Sequence, residues 1–225
     1  MPQMDDSEFD KALLRAAFAR AERGGWSRMS IAAAARDAGL PLERARARFP
    51  NRLAVLMRFG SVADREVLAS MTPDGTVRDR LFDLLMRRID VLQEHRGGLL
   101  ALLRHLPADP GLVALLALAT RRSMRWMLEA AGISSQGLTG RLRAKGLMAL
   151  WLWVIRAWAS DESEDLSVTM AALDQALSRA EQLASWLPKD DPEPPEFPEA
   201  SEPLPVTLPE VPPEPPPPPA SPEIA

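Results

Sequence analysis

The side chains whose type and spacing point most directly to a chemical role are four arginines in the first quarter of the sequence: Arg44, Arg46, Arg48 and Arg52. A guanidinium group pairs with phosphate oxygens and can donate two parallel hydrogen bonds to the edge of a guanine base. Three of these arginines alternate with other residues over one short segment, so their charge is concentrated in one place. This cluster indicates a surface that binds nucleic acid.

Side chains suited to catalysis or to metal binding are scarce. The chain has no cysteine, and its two histidines, His95 and His105, are too widely spaced for a local metal motif. The sequence contains no glycine-rich phosphate loop and no nucleophile elbow. The acidic run 161–165 lacks the glycine spacing of a calcium loop and favours a solvated turn that caps the next helix. The sequence therefore predicts a protein that is not an enzyme and that holds no cofactor or metal.

Two short predicted helices position the arginines. Ser30 is a good N-cap for a helix over 31–38, and Gly39 suits the left-handed conformation that ends it. Pro41 fits the start of a second helix, over 42–49. This is the layout of a helix-turn-helix, whose second helix lies in the major groove of DNA.

A longer helix is predicted on each side of this motif. The first covers 7–23, with a capping box formed by Ser7 and Asp10, and Trp26 packs under the turn that follows it. The second covers 52–70. The first three helices therefore form one small bundle, and the fourth leads away from it.

A helical wheel assigns a face to each residue of the second short helix. The side that packs on the preceding helices holds the apolar residues Leu42, Ala45 and Phe49. Glu43, Arg44 and Ala47 point the opposite way, toward the groove. Arg44 is placed to meet a base such as guanine, and Ala47 to touch a thymine methyl group. Glu43 either accepts a hydrogen bond from cytosine or pairs with a neighbouring arginine.

Further contacts are predicted to go to phosphates. Arg46 and Arg48 flank the groove-facing side of this helix, and Ser30 and Arg52 lie at helix starts, where anions are often held. Residues 11–60 contain eleven Lys or Arg and only three Asp or Glu, although the whole chain has a net charge of −4. The positive charge is therefore concentrated around the helix-turn-helix, as DNA binding requires.

The remaining body of the chain also has helical periodicity and no competing strand pattern. Five further helices are predicted, over 77–95, 98–106, 111–131, 138–160 and 166–187. The turn cluster 71–75 marks a boundary between two domains, 1–70 and 71–187. The fold class is therefore all-α.

The segment 188–225 has a different composition, with sixteen prolines, nine Asp or Glu and one Lys. It cannot bury enough apolar surface to offset its ordering entropy, so a disordered tail with polyproline II character is expected. Three roles stay open for this tail: a ligand for an SH3-like groove, an acidic decoy for the basic domain, and a solubilising tail. The solubilising role is favoured. No apolar segment resembles a signal peptide or spans a bilayer, so a cytoplasmic protein is expected.

The N-terminal pattern resembles the TetR family of one-component bacterial repressors over about residues 8–58. The features that carry this resemblance are Ser30, Ala38-Gly39, Phe49-Pro50, Arg52, and the Gly24-Gly25-Trp26 turn after Phe18. The sequence departs from the family pattern at Pro41 and Leu42-Glu43, and arginines replace the usual aromatic residues at 46 and 48. The resemblance implies a homodimeric repressor that places two recognition helices in successive major grooves and that a small apolar ligand releases from DNA.

The C-terminal domain is rich in tryptophan and methionine. The candidates for a ligand pocket or a dimer interface are Trp126, Met148, Trp151, Trp153 and Trp158, although ordinary core is the simplest role for any one of them. By resemblance to the TetR family, the last two helices would pair with those of a partner. The last helix has an apolar face that membrane binding would also use, but it carries few cations.

A second resemblance concerns the C-terminal half alone, which looks like the lipid-binding ubiquinone-biosynthesis accessory proteins of the Coq series. These proteins share the TetR fold without using it to bind DNA. The elements that carry it are Arg122–Trp126, Arg143–Gly146, Trp158, Asp161–Asp165, Thr169 and Leu173-Asp174. The alternative function is a lipid-binding accessory protein, but the arginine-rich helix favours DNA binding.

Overall fold

Apolar residues at helical spacing form helices along most of the chain. The computed structural model describes residues 4–71 and 74–184. These residues contain nine α-helices, two short 3₁₀ turns and no strand, which confirms the predicted all-α class. The helices are α1 (Asp6–Gly24), α2 (Ile31–Asp37), α3 (Leu42–Arg48), α4 (Arg52–Ala69), α5 (Val77–Gln93), α6 (Arg96–His105), α7 (Pro110–Ala130), α8 (Gly137–Ser160) and α9 (Ser167–Ala184).

Local capping explains where the N-terminal helices begin and end. Ser30 accepts a hydrogen bond from the backbone of Ala33, and Gly39 has φ +64°, as the sequence predicts. The predicted capping box at the start of α1 is wrong. Asp5 is the N-cap, and its carboxylate accepts a 2.8 Å hydrogen bond from the backbone N–H of Glu8. The helix therefore begins at Asp6, one residue before the predicted start.

A continuous hydrophobic core joins the N-terminal helices to the later ones. On the N-terminal side, Phe9, Leu13 and Phe18 of α1 are buried, and the Trp26 ring lies 6.2 Å from that of Phe18. Helix α6 packs closely along α1. At Gly98 of α6, a Cβ atom would lie 2.4 Å from the carbonyl oxygen of Phe18, so this contact requires a residue without a side chain.

The acidic connection between α8 and α9 is a turn that caps the next helix, with Glu162, Glu164 and Asp165 exposed, as the sequence predicts, but its first residue is not solvated. Asp161 is buried, and its carboxylate accepts hydrogen bonds from the backbone and hydroxyl groups of Ser163 and Thr169. Burial alone would raise the pKa of this carboxyl, but these hydrogen bonds outweigh it and hold the pKa well below its ordinary value. Asp161 therefore stays ionised and fixes the start of α9.

Two predictions concern residues that the structure does not describe. The polyproline tail and residues 185–187 of the last predicted helix lie outside the described ranges. The domain boundary near residue 70 stays a prediction. Among the described helices, none combines the length and apolar character needed to cross a membrane.

Candidate DNA-binding surface and adjoining cavity

Small residues let the two helices of the helix-turn-helix approach each other closely. Ala34 and Ala35 of α2 and Ala45 of α3 are buried, and α2 packs against both α1 and α3. The turn is closed by a 2.8 Å hydrogen bond from the backbone N–H of Leu40 to the carbonyl of Ala35. Phe49 closes the end of α3 and is 1% exposed. These buried residues and the closed turn hold α3 against α2, with one side of α3 in solvent.

The solvent side of α3 differs in part from the wheel prediction. Glu43 and Ala47 are exposed, as predicted for groove-facing residues, and so is Arg46. Leu42 was expected to pack on the preceding helices, but it is 45% exposed. Leu42 is the first residue of α3 and directly follows Pro41. The buried contacts of this segment begin one turn later, at Ala45 and Phe49.

Arg44 turns toward α1 and not toward the groove, which corrects its predicted orientation. One guanidinium nitrogen donates to the backbone carbonyl of Met4 at 2.8 Å, and another contacts the carboxylate of Asp6 at 2.6 Å. The guanidinium also lies over the ring of Phe9, 4.4 Å from its centroid. The hydrogen bond from Arg44 lowers the pKa of Asp6. Arg44 therefore joins α3 to the start of α1.

Arg48 lies on the same flank of α3 and makes a second connection to α1. It donates two hydrogen bonds, of 2.7 and 2.8 Å, to the carboxylate of Asp10, and it also pairs with Asp6. Asp10 is only 4% exposed, and Arg58 of α4 lies 3.4 Å from its second oxygen. The hydrogen bonds from Arg48 to Asp10 raise the pKa of the guanidinium. A shared carboxylate thus fixes α3 between α1 and α4.

Arg46 and Arg52 remain on the outer surface. Arg46 donates a 2.8 Å hydrogen bond to the carbonyl of Pro50, directly beyond α3, and its side chain is exposed. Arg52 donates to the carbonyls of Trp26 and Ser27, and Ser30 is exposed at the start of α2. We call the exposed set the α3 surface: Ser30, Glu43, Arg46, Ala47 and Arg52.

Sequence reasoning did not identify Asp6 and Asp10 as part of this site. The sequence does contain a signal for Asp10. It lies four residues before Leu14 and seven before Ala17, so it falls on the apolar stripe of α1, where a carboxylate needs a cationic partner. Asp6 falls at a similar angle, three residues before Phe9 and seven before Leu13, but it is the first residue of α1 and is largely exposed, so its position does not demand a partner.

A cavity of about 720 Å³ lies among the later helices. Helices α4 to α8 contribute its lining, which is mostly leucine, tryptophan and methionine. Four of the five candidate residues, which come from α7 and α8, line it: Trp126, Met148, Trp151 and Trp158. The fifth, Trp153, is 53% exposed on the outside of α8. Four of the five candidates therefore share one cavity, and whether it binds a ligand stays a prediction.

Three polar residues from three helices meet at the wall of this cavity: Asp64 of α4, Arg88 of α5 and Ser123 of α7. A carboxylate oxygen of Asp64 accepts hydrogen bonds from both Arg88 and Ser123. Within residues 4–71 and 74–184, no group of three or more acidic, histidine or cysteine side chains is arranged to hold a metal ion.

A stripe of apolar side chains lies exposed on the outside of α8. Its members fall within about 60° of the helix circumference. They are Leu138, Leu142, Ala149 and Trp153. We call this set the α8 stripe. Exposed Lys145 and Arg156 fall at similar angles, so two cations interrupt the apolar row. Large exposed apolar side chains such as Leu138, Leu142 and Trp153 are still typical of a surface that another protein covers.

Two solved structures share this arrangement of helices. A TetR transcriptional regulator from Nitrosomonas europaea ATCC 19718 has a TM-score of 0.64 and 20% sequence identity, covering 80% of this chain and 99% of that chain. A TetR-family transcriptional regulator from Streptomyces coelicolor has a TM-score of 0.54 and 16% identity, covering 79% and 85%. No protein-family model and no curated protein matches the sequence. The chain has the fold of the TetR transcriptional regulators.

Proposed function

We propose that this protein is a sequence-specific DNA-binding transcriptional regulator of the TetR type and acts as a repressor in the cytoplasm. The observation that carries the proposal is the α3 surface, where a short helix on a rigid support exposes Arg46 beside Glu43 and Ala47. A helix presented in this way fits the major groove of DNA. The likeness to regulators of known structure supports the same function.

The arginines of the site divide into two roles in this proposal. Arg46 contacts DNA directly, and Arg52 and Ser30 contact phosphates at the helix starts. Arg44 and Arg48 act mainly by holding α3 in position, because each is paired with carboxylates of α1. Their charge still adds to the local positive potential that attracts DNA.

The regulator acts as a homodimer in this proposal. Two copies that bury the α8 stripe against each other would place two α3 helices on one face of DNA. The exposed apolar character of Leu142 and Trp153 supports this interface, because tryptophan and leucine of this exposure are unfavourable in water.

A small apolar ligand releases the repressor from DNA. The cavity is lined in part by α4, and α4 begins directly beyond α3 and Pro50. A ligand that prefers one position of α4 would therefore change the position of α3 and with it the affinity for DNA. The ligand changes the affinity for DNA by the same factor by which DNA changes the affinity for the ligand. The comparisons give no support to the alternative of a lipid-binding accessory protein in ubiquinone biosynthesis.

The test is selection of binding sites from a pool of random duplex DNA by the full-length protein. We expect enrichment of a near-palindromic site whose half-sites lie on the same face of the double helix. An Arg46→Ala variant should enrich this site weakly. A pool that stays random over several rounds, at salt concentrations where nonspecific binding is weak, would refute the proposal.

A further inference from the structure

A second pocket, of about 700 Å³, lies where the end of α7 meets the start of α8. We call it the arginine pocket, because three arginines line it together with one tryptophan and one glutamate. These lining residues are Arg122, Arg125, Trp126, Glu129 and Arg141. All five side chains are exposed, so a molecule in solvent can reach them.

The arginine pocket carries a net positive charge. Among the described residues that line it, Glu129 is the one acidic residue, and its carboxylate accepts a 2.8 Å hydrogen bond from the backbone N–H of Ser135. Hydrogen bonds from Ser135 lower the pKa of Glu129, so this carboxylate is ionised and offsets one of the three cations. Within residues 4–71 and 74–184, no carboxylate forms a salt bridge with Arg122, Arg125 or Arg141. Guanidinium groups left in this way are suited to pair with a carboxylate or a phosphate from another molecule.

The arginine pocket adjoins the cavity of about 720 Å³, whose lining is mainly apolar and which we call the apolar cavity. Arg122 and Trp126 line both spaces. On α7, the apolar cavity is lined by residues between 113 and 126, and the arginine pocket by residues between 122 and 129. On α8, the arginine pocket is lined by residues 137 and 141, and the apolar cavity by residues between 148 and 158. The two spaces therefore follow each other along the same pair of helices.

One face of α8 shows the same change from charged to apolar. Its members fall within about 60° of the helix circumference. They are Arg141, Met148, Leu152 and Ile155. At about 1.5 Å per residue, Arg141 lies about 10 Å from Met148 and about 20 Å from Ile155 along the helix axis. An extended molecule on this face would meet a cation at one end and apolar side chains over the rest of its length.

Apolar surface at the boundary of the two spaces is open to water. Trp126 is 55% exposed and Leu152 is 54% exposed, although both line the apolar cavity. An alkyl chain that covered these side chains would be stabilised by the apolar surface that it removes from water.

We infer that the two adjoining spaces bind one anionic, single-chain amphiphile, whose alkyl chain lies in the apolar cavity and whose carboxylate or phosphate group pairs with Arg122 and Arg141. The headgroup lies among exposed side chains, so it keeps part of its hydration and avoids the cost of burying a charge. The inference deepens the proposed function by naming the class of the releasing ligand, and it rests on that function only for the regulatory role. Binding of the amphiphile does not itself require DNA.

The test is isothermal titration calorimetry of the full-length protein at neutral pH, with each compound below its solubility limit and its micelle-forming concentration. The compounds are decanoate, decyl phosphate, 1-decanol, acetate and methyl phosphate. The tighter of the two long-chain anions should bind at least about tenfold more tightly than 1-decanol, because only the anions pair with the arginines. Which anion binds more tightly identifies the headgroup.

The short-chain anions test the other half of the inference. Acetate and methyl phosphate should bind at least about a hundredfold more weakly than the tighter long-chain anion, because they have no chain to fill the apolar cavity. Absence of binding by both long-chain anions, equal binding of 1-decanol, or a short-chain anion that binds as tightly as the tighter amphiphile overturns the inference.

A paired substitution assigns the headgroup preference to the arginine pocket. The double variant Arg122→Gln with Arg141→Gln should bind the tighter amphiphile about as weakly as 1-decanol, while its affinity for 1-decanol changes little. The matched control is Arg121→Gln with Arg156→Gln, because these are exposed arginines of the same two helices that line neither space. A headgroup preference that persists in the first variant, or that the control loses equally, overturns the inference.

Measuring DNA binding on the same preparations separates this inference from the proposed function. Amphiphile binding that depends on Arg122 and Arg141, in a protein that selects no DNA site, would refute the proposed function and support the assigned ligand class. Selection of a DNA site by a protein that binds neither decanoate nor decyl phosphate would overturn the ligand class alone.

Discussion

At the scale of single residues, Asp10 holds α3 in place. It is almost fully buried, and Arg48 and Arg58 share its carboxylate. The variant Asp10→Asn removes the negative charge that balances two guanidinium groups. We expect it to lower the free energy of unfolding by about 3 kcal/mol, as measured by urea denaturation.

The matched control for this prediction is Asp37→Asn. Asp37 also pairs with two arginines, Arg20 and Arg23, but all three side chains are well exposed. Exposed ion pairs contribute little to stability, so this variant should unfold close to the wild type. Similar losses in both variants would contradict a special role for the buried carboxylate.

His95 gives a prediction about pH at the same scale. Its ring lies 5.1 Å from that of Phe18 and 5.4 Å from that of Phe59, where α6 meets the N-terminal helices. Burial lowers the pKa of His95 below its ordinary value of 6.5, an effect that nearby Arg15 strengthens and that Glu94 and Glu66 oppose. The folded protein therefore resists protonation of this ring.

The sign of the pH dependence follows from this shift. Below pH 6.5 the unfolded chain takes up a proton at His95 that the folded chain does not, so stability is fully present above that pH and falls as the pH falls through it. Urea denaturation between pH 7 and pH 5 should show this loss in the wild type. In His95→Phe the loss should be smaller, and an unchanged pH dependence would contradict the assignment.

At the scale of helices, the contact between α1 and α6 depends on a glycine. A Cβ atom at Gly98 would lie 2.4 Å from a backbone oxygen of Phe18, so Gly98→Ala must push the two helices apart. We expect a loss of about 2 kcal/mol in the free energy of unfolding. The matched control is Gly60→Ala in α4, where a Cβ atom would meet open space.

The control should change stability in the opposite direction. Alanine in a helix interior is favoured over glycine by about 0.5–1 kcal/mol, so Gly60→Ala should raise the melting temperature slightly. Thermal unfolding of both variants measures the difference. If Gly98→Ala were as stable as Gly60→Ala, the close approach of α1 and α6 would be wrong.

At the scale of the whole molecule, the α8 stripe predicts a dimer. Analytical ultracentrifugation should give twice the chain mass of 24.7 kDa. The double variant Leu142→Glu with Trp153→Glu places two charges in the stripe and should sediment as a monomer, because burying unpaired charges is unfavourable. Leu115→Glu changes an exposed apolar residue of α7 and should remain a dimer. A wild-type monomer at micromolar concentration would contradict the interface.

The sequence predicts the helices and the turn well because the signals for them are local. Ser30, Gly39 and Pro50 set the bounds of α2 and α3 through hydrogen bonds or backbone angles within a few residues. The orientation of Arg44 is different. A helical wheel gives its angle on α3, but the carboxylate of Asp6 and the carbonyl of Met4, far earlier in the sequence, decide where its guanidinium goes.

The same limit applies to the tryptophans of α8. Tryptophan content predicts a pocket or an interface, but Trp151 and Trp153 lie two residues apart on α8 and have different surroundings. One lines the cavity and the other lies in the α8 stripe. The spacing places the two rings about 200° apart on α8, but only the packing of the neighbouring helices decides which of them lines the cavity.

The most direct test of the central claim is fluorescence anisotropy with the selected DNA site over a salt series. Arg46→Ala should lower the affinity at least about tenfold and reduce the slope of log affinity against log salt by about one for each subunit. The control Arg104→Ala, an exposed arginine at the end of α6, should keep the wild-type affinity and slope. Binding by Arg46→Ala with the affinity and slope of the wild type would contradict the account.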